Sequence, residues 1–178
     1  MPVFRRLIAL AFAAGALAPV GAPPALADTA PRLAESSFAL LAQPLPLPYD
    51  EKADGAAAIR AATARARAHH TLLLIDLGGN WCLDCRLLAG TIALPDLSPF
   101  VRAHYEVVTV DVGRYTKNMG VPGSYGAGVV RGVPMLLIVD PATRRLINAG
   151  HTTALADARS LTPQALADWL AQWVDAGK

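Results

Sequence analysis

The chain has 178 residues, with 16 Lys or Arg against 14 Asp or Glu, so its formal net charge is +2. This length suits one domain with a sizeable hydrophobic core and is short for two. No cluster of basic residues stands out, which argues against nucleic acid or an anionic membrane surface as a partner.

The first 27 residues have the pattern of a secretory signal peptide. Arg5 and Arg6 precede an apolar run of about fourteen residues, and an A-x-A cleavage site ends at Ala27. The run is shorter than the ~20 residues that a membrane-spanning helix needs, which favours a cleaved signal peptide. The alternative is that the segment stays uncleaved as an N-terminal anchor. Cleavage would remove two basic residues, so the exported mature chain is expected to be nearly neutral and not inserted in the membrane.

Residues 28–48 are expected to be an extended spacer. The stretch "QPLPLP" at 43–48 has Pro at alternate positions and favours a polyproline-like path. The folded domain is therefore predicted over residues 49–178.

The rest of the chain alternates between helical and strand patterns. In order, the predicted elements are a helix over 54–70, a strand over 71–77, a helix from 82 that stops before 95, a short helix near 98, strands over 105–112, 134–140 and 145–150, and a final helix from 163. The strand "TLLLIDL" is continuously apolar, as expected for a strand buried on both faces. In the final helix Leu166, Leu170 and Val174 form one apolar stripe. The order predicts an α/β fold, a central mixed β-sheet with helices on both faces.

The two cysteines lie in one short stretch, "GGNWCLDCR" at 78–86. Cys82 would sit at the N-terminus of the predicted helix, where free N–H groups and the helix dipole favour a thiolate. A fall in the thiol pKa from ~8.5 to ~7 raises the thiolate fraction at neutral pH from roughly 3% to about half. The pair would then suit thiol–disulfide exchange, in which Cys82 attacks a disulfide and Cys85 resolves the mixed disulfide.

Two other uses of the cysteine pair stay open at this point. A structural disulfide across about four residues would stabilise the fold by only ~2 kcal/mol, against ~4.7 for a loop of a hundred residues. A metal site would need further ligands from the chain's His residues or carboxylates, and the sequence holds no second Cys-x-x-Cys. No metal ligand and no cofactor are therefore predicted.

Two separated segments resemble the signatures of thioredoxins. "LLLIDLGGNWCLDCR" at 72–86 is similar to their active-site segment, and "RGVPMLLIV" at 131–139 is similar to their second motif. The resemblance implies a thioredoxin fold. It also implies that Pro134 follows a cis peptide bond beside the cysteines, and that the backbone of Val133 docks an extended substrate.

The same resemblance assigns two more residues of the predicted site. Trp81 matches the Trp that precedes the first Cys and would contact substrate. Asp76 matches the buried Asp behind the second Cys, and the resemblance implies that it takes and returns the proton of Cys85.

Three positions depart from the thioredoxin pattern. Asp84 lies between the cysteines in place of a neutral residue, so we expect it either to oppose the thiolate and raise its pKa, or to be a solvated carboxylate on the helix dipole. Gly78 replaces an aromatic residue. Val107 replaces a Lys, which leaves Asp76 without its usual partner; burial without a cation would raise the pKa of Asp76.

Together these features predict an exported thiol–disulfide oxidoreductase of the Gram-negative periplasm. We expect a reductant that acts on disulfides of other exported proteins and receives electrons from a membrane dithiol relay. The alternatives are an oxidase or isomerase of similar build, and a metal-binding chaperone that uses the Cys pair.

Overall fold

The computed structural model describes residues 29–177, so the segment predicted to be a signal peptide lies outside the described residues. The α-helices and β-strands are α1 (Gly55–His69), β1 (Leu72–Gly78), α2 (Leu83–Ile92), α3 (Ser98–His104), β2 (Tyr105–Asp111), β3 (Met135–Val139) and α4 (Pro163–Ala171). Within residues 29–177, no helix combines the length and the apolar character required to cross a membrane.

Strand β1 is the centre of a three-stranded mixed sheet. It pairs in parallel with β2 and antiparallel with β3. All seven residues of β1 are buried, as its continuous apolar sequence predicts. The register places Asp76 between Thr109 and Leu136, near the carboxyl end of β1.

Helices cover both faces of the sheet, which confirms the predicted α/β layer order. Leu72 and Leu74 belong to a core cluster shared with α2, α3 and α4. Leu73 and Ile75 point the other way, into a cluster shared with α1. This second cluster also contains both cysteines, so the thiols belong to the core on the α1 side of the sheet.

The predicted strand over 145–150 is wrong as an element. One isolated antiparallel bridge joins Val139 to Leu146 there. Next to it the Asn148 side chain takes over a ladder position, because its Oδ1 accepts a hydrogen bond from the Ile138 N–H at 2.9 Å. Side-chain bonds of Asn148 therefore interrupt the backbone pairing after one bridge, before a further backbone bond joins the Leu136 N–H to the Thr152 oxygen at 2.8 Å.

The segment predicted to be a spacer packs on the domain over the part that the structure describes. Leu41 and Leu45 are buried in the cluster shared with α2. The Arg86 side chain, from α2, donates hydrogen bonds to the backbone oxygens of Leu45 at 2.9 Å and Pro46 at 3.2 Å. The leucines and these bonds hold the segment against α2, and the Gln43–Pro44 peptide bond within it is cis. The packed core thus extends upstream of residue 49, and we call residues 29–49 the N-terminal strap.

Candidate active site

The two thiols meet at the first turn of α2. Cys82 is the N-cap residue of the helix, and its Sγ accepts a hydrogen bond from the backbone N–H of Cys85 at 3.3 Å. Both are free cysteines, 6% exposed at Cys82 and fully buried at Cys85. One sulfur is thus near the surface and the other directly behind it.

The two thiols have opposite electrostatic character. A hydrogen bond from the Cys85 side chain, aided by backbone N–H groups at the helix start, lowers the pKa of Cys82 to about 7 despite its burial. The same side-chain interaction and burial raise the pKa of Cys85 far above its ordinary value. At neutral pH about half of Cys82 is therefore thiolate, while Cys85 keeps its proton.

The second motif meets the cysteines from 51 residues away along the chain. The Sγ–H of Cys82 donates to the backbone oxygen of Val133 at 3.5 Å. The Val133–Pro134 peptide bond is cis, and both residues are buried. The loop before β3 therefore presents a backbone carbonyl directly to the more exposed sulfur.

Trp81 lies exposed at the rim of the site. Its side chain is held by the loop after β2, where Nε1 donates to the Gly113 oxygen at 2.5 Å. The Arg114 guanidinium lies 5.4 Å from the centroid of the indole, and the Tyr115 ring centroid lies 5.7 Å from it. With 39% of its surface exposed, Trp81 leaves one part of the ring free for contact with a partner.

Asp76 is buried behind the cysteines with a partner that the sequence reasoning missed. Burial raises the pKa of Asp76 to about 7, although a hydrogen bond from Tyr49 lowers it. The Tyr49 Oη–H donates to Asp76 Oδ1 at 2.8 Å. Tyr49 belongs to the N-terminal strap and is 3% exposed.

The absence of a side chain at Gly78 explains how Tyr49 reaches the site. A Cβ at Gly78 would lie 2.3 Å from Tyr49 Oη and 2.7 Å from Cys85 Sγ, both closer than real Cβ atoms approach. The missing aromatic residue of the thioredoxin pattern thus leaves the space that Tyr49 fills. This glycine was the available sequence signal for a ring arriving from elsewhere in the chain.

Asp84 is buried and paired, so one of the two expectations from the sequence, a solvated carboxylate, is wrong. It is 4% exposed. The Arg159 Nε donates to its Oδ1 at 3.0 Å, and the Arg159 backbone N–H donates to the same oxygen at 2.9 Å. Burial alone would raise the pKa of Asp84, but Arg159 outweighs it and holds the pKa below its ordinary value.

The other expectation, that Asp84 opposes the Cys82 thiolate, agrees with the direction in which its charge acts. The Asp84 carboxylate raises the pKa of Cys82, but it is one of the smaller influences on that thiol, and the net shift of the Cys82 pKa is downward. Arg159 supplies a compensating positive charge from a turn 75 residues further along the chain. Nothing in the local sequence indicated that partner.

Residues 29–177 contain no candidate metal site. No group of three or more His, Cys, Asp or Glu side chains is placed there to hold a metal ion.

A dithiol at the start of a helix, beside a cis-proline loop and over a mixed sheet, defines a thioredoxin-like protein. The family model described as Thioredoxin-like matches residues 55–141. A solved structure, a disulphide isomerase from Xylella fastidiosa Temecula1, is 30% identical with a TM-score of 0.64, over 72% of this chain and 97% of that chain. No curated protein matches.

The chain therefore belongs to the thioredoxin-like family, and its fold is the thioredoxin fold predicted from the two motifs. The family match begins at residue 55 and so does not include the strap that carries Tyr49.

Proposed function

We propose that this protein is an exported thiol–disulfide oxidoreductase that reduces disulfides in other exported proteins. The observation that carries the proposal is the pair of unlike thiols. Cys82 is near the surface with a pKa of about 7, and Cys85 is buried and protonated behind it. This is the asymmetry that a nucleophile and a resolving thiol require.

In the proposed reaction the Cys82 thiolate attacks a substrate disulfide and forms a mixed disulfide, releasing the first substrate thiol. The carbonyl of Val133 loses its thiol donor in this step and becomes free to accept an N–H from an extended substrate backbone. Trp81 contacts the substrate beside it, and Pro134 fixes the direction of that carbonyl. Cys85 then attacks Cys82 Sγ and releases the second substrate thiol.

The direction of exchange is proposed from the acidity of Cys82. A pKa of about 7 is close to that of thioredoxin and far above the ~3.5 of the oxidant DsbA. A strongly acidic thiol stabilises the reduced form and makes an oxidant, whereas a thiol of this acidity suits a reductant. A membrane dithiol relay is the proposed electron donor, and the pattern of residues 1–27 supports a periplasmic location.

A disulfide isomerase is the second candidate, because the similar solved structure is that of a disulphide isomerase. An isomerase uses the same attack by Cys82, but the substrate's own thiol then displaces it and Cys85 is not oxidised. The two activities therefore differ in whether Cys85 turns over with substrate.

The test compares the wild type with Cys82→Ala and Cys85→Ala. Reduction of insulin with dithiothreitol as donor should fall in Cys82→Ala to the rate of dithiothreitol alone. Cys85→Ala, reduced beforehand and mixed with insulin without dithiothreitol, should accumulate a mixed disulfide visible by mass spectrometry. A reduction potential near ~−270 mV supports the reductant, and one near ~−120 mV contradicts it. Refolding of a scrambled disulfide protein by Cys85→Ala at wild-type rate would favour the isomerase.

Export has its own test. Expression of the full chain in a Gram-negative host should place the protein in the periplasmic fraction, with Asp28 as its first residue after cleavage at Ala27. Recovery of the intact N-terminus in the membrane fraction would show an uncleaved anchor.

A further inference from the structure

We infer that Tyr49 relays a proton between Cys85 and Asp76, so that the N-terminal strap completes the reaction centre. The inference rests on the proposed function, in which Cys85 must lose its proton before it attacks the mixed disulfide. It assigns a proton-transfer role to a residue outside the segment that the family model matches.

Burial makes such a relay necessary. Cys85 is fully buried and Asp76 is 3% exposed, so bulk water does not reach either group freely. A proton that leaves Cys85 must therefore pass through neighbouring buried groups. Tyr49, 3% exposed, belongs to the same core cluster as both cysteines.

The Tyr49 hydroxyl is placed between the two groups. It donates to Asp76 Oδ1 at 2.8 Å. It also lies on the same side of Gly78 as the Cys85 sulfur, because one added Cβ would meet both atoms within 2.7 Å. The oxygen has a lone pair left to accept from a thiol while its own proton points at the carboxylate.

The electrostatics of the three groups agree with this role. Burial and the nearby Asp76 and Cys85 raise the pKa of Tyr49 far above its ordinary value, so the hydroxyl passes a proton on and does not ionise by itself. Asp76, with a pKa of about 7, can hold or release a proton near neutral pH. Tyr49 from the strap and Cys82 from the start of α2 act on Asp76. Cys85, in the first turn of α2, interacts with it electrostatically as well.

Atoms and electrons balance in the resolving step. The Cys85 S–H proton moves to Tyr49 Oη while the Tyr49 O–H proton moves to Asp76 Oδ1. The Cys85 sulfur then bonds to Cys82 Sγ, and the bond between Cys82 and the substrate sulfur breaks with the electron pair leaving on the substrate. Two electrons pass from the dithiol to the substrate disulfide, and Asp76 ends protonated.

A backbone clamp keeps Tyr49 in place. The Asn80 Oδ1 accepts from the Tyr49 N–H at 3.1 Å, and the Asn80 Nδ2 donates to the Tyr49 oxygen at 2.8 Å. On the preceding residue, the Thr109 hydroxyl donates to the Pro48 oxygen at 2.8 Å. Asn80 precedes the Cys82 turn, so the clamp ties the strap directly to the active-site loop.

The test is stopped-flow mixing of reduced protein with glutathione disulfide, followed by tryptophan fluorescence. The measurement runs from about pH 5.5 to 9, a range that brackets the pKa values of Asp76 and Cys82. The first phase reports attack by Cys82 and the second reports attack by Cys85. In Tyr49→Phe the rate of the second phase should fall by about tenfold or more at pH ~7. General acid–base catalysis typically contributes about 10²–10⁴-fold to a rate, so a loss of this size is expected even if part of the proton transfer is retained. Its midpoint should move to higher pH, because Asp76 loses a donor that favours the carboxylate. The first phase should stay unchanged.

The matched control is Tyr105→Phe, which removes another buried tyrosine hydroxyl, bonded to the Leu170 oxygen at 2.6 Å in the other core cluster. It should leave both phases at wild-type rates. Adding Tyr49→Phe to Asp76→Asn should produce no further slowing, because the two residues act in one path.

An unchanged second phase in Tyr49→Phe, or slowing that adds fully to that of Asp76→Asn, overturns the relay. If Tyr49→Phe does not fold, Asn80→Ala is measured in the same assay, because this variant releases the backbone clamp and keeps the Tyr49 hydroxyl. A second phase at the wild-type rate in Asn80→Ala also overturns the relay. A wild type without a first phase contradicts the proposed function itself, and so distinguishes the two failures.

Discussion

The carboxyl group of Asp76 opposes folding when it is ionised. Its pKa is about 7 in the folded chain against an ordinary value of 3.8, so the folded state binds the proton more tightly. The resulting stabilisation is fully present below pH ~4 and is lost as the pH rises through about 7. The ionised carboxylate that the proposed proton transfer needs is therefore the less stable form of the folded protein.

We predict that Asp76→Asn is more stable than the wild type at pH ~8, by at most about 4 kcal/mol, because the shift spans roughly three pKa units. The amide oxygen can still accept the Tyr49 hydrogen bond. Urea unfolding of the reduced proteins at pH ~4, ~6 and ~8 measures the difference, which should shrink towards the acid end. A difference that does not change with pH would contradict the assigned ionisation.

The pair of Asp84 and Arg159 controls the charge beside Cys82. Removing the guanidinium in Arg159→Gln leaves a buried carboxylate uncompensated, so the pKa of Cys82 should rise and its thiolate fraction at neutral pH should fall. Thiolate ultraviolet absorbance across a pH titration measures this. Asp84→Asn should shift the pKa of Cys82 in the opposite direction, and the double variant should resemble Asp84→Asn. A Cys82 titration that Arg159→Gln leaves unchanged would show that the pair is only structural.

At the scale of elements, the N-terminal strap is a part of the domain. It lies against α2 through Leu41 and Leu45, and a Cβ at Gly90 of α2 would meet the Leu41 side chain at 3.2 Å. The strap also carries Tyr49 into the site. Packing against the active-site helix and chemistry at the active site thus depend on one segment.

The adjacent residues Leu40 and Leu41 offer a matched test of this packing. Leu41 is 3% exposed and Leu40 is 61% exposed. Leu41→Ala should lower the free energy of unfolding by about 2–5 kcal/mol, the usual range for a buried leucine. Leu40→Ala should change it by less than about 0.5 kcal/mol. Equal, small effects in urea unfolding would mean that the strap is a detached spacer, as the sequence suggested.

At the scale of the whole molecule, redox state and stability are linked through Cys82. Its pKa falls from an ordinary value of 9.0 to about 7 in the reduced fold. A depressed pKa stabilises the fold above pH ~9, and this stabilisation is lost as the pH falls through about 7. The disulfide form has no thiolate and lacks this dependence.

We therefore predict that the reduced protein gains stability relative to the oxidised protein between pH ~7 and pH ~9. The gain should be on the order of 2 kcal/mol, from a shift of about two pKa units at a nearly buried thiol. The contribution of Asp76 is present in both forms and largely cancels, and the raised pKa of Cys85 opposes the gain only as the pH approaches ~9. Thermal or urea unfolding of both forms at the two pH values measures the gain; parallel pH profiles would contradict it.

Much of the fold was predictable because its signals are local. The continuous apolar run of β1 predicts a buried strand, and the Cys-x-x-Cys segment predicts the start of a helix. The resemblance of two motifs to those of thioredoxins then predicted how the strands and helices are arranged around a mixed sheet. The strand predicted over 145–150 was wrong, because the Asn148 side chain competes for the backbone groups of β3. The Pro-rich segment gave no sign of its docking against α2.

The sequence by itself determined the chemistry of the site: two thiols one helical turn apart, a buried acid and a proline loop. Only the tertiary structure decided their electrostatic environment. Tyr49 reaches Asp76 from 27 residues away, and Arg159 reaches Asp84 from 75 residues away. A pKa depends on charges, donors and burial within a few ångströms, and those neighbours are chosen by the packing of distant segments, which local sequence patterns do not encode.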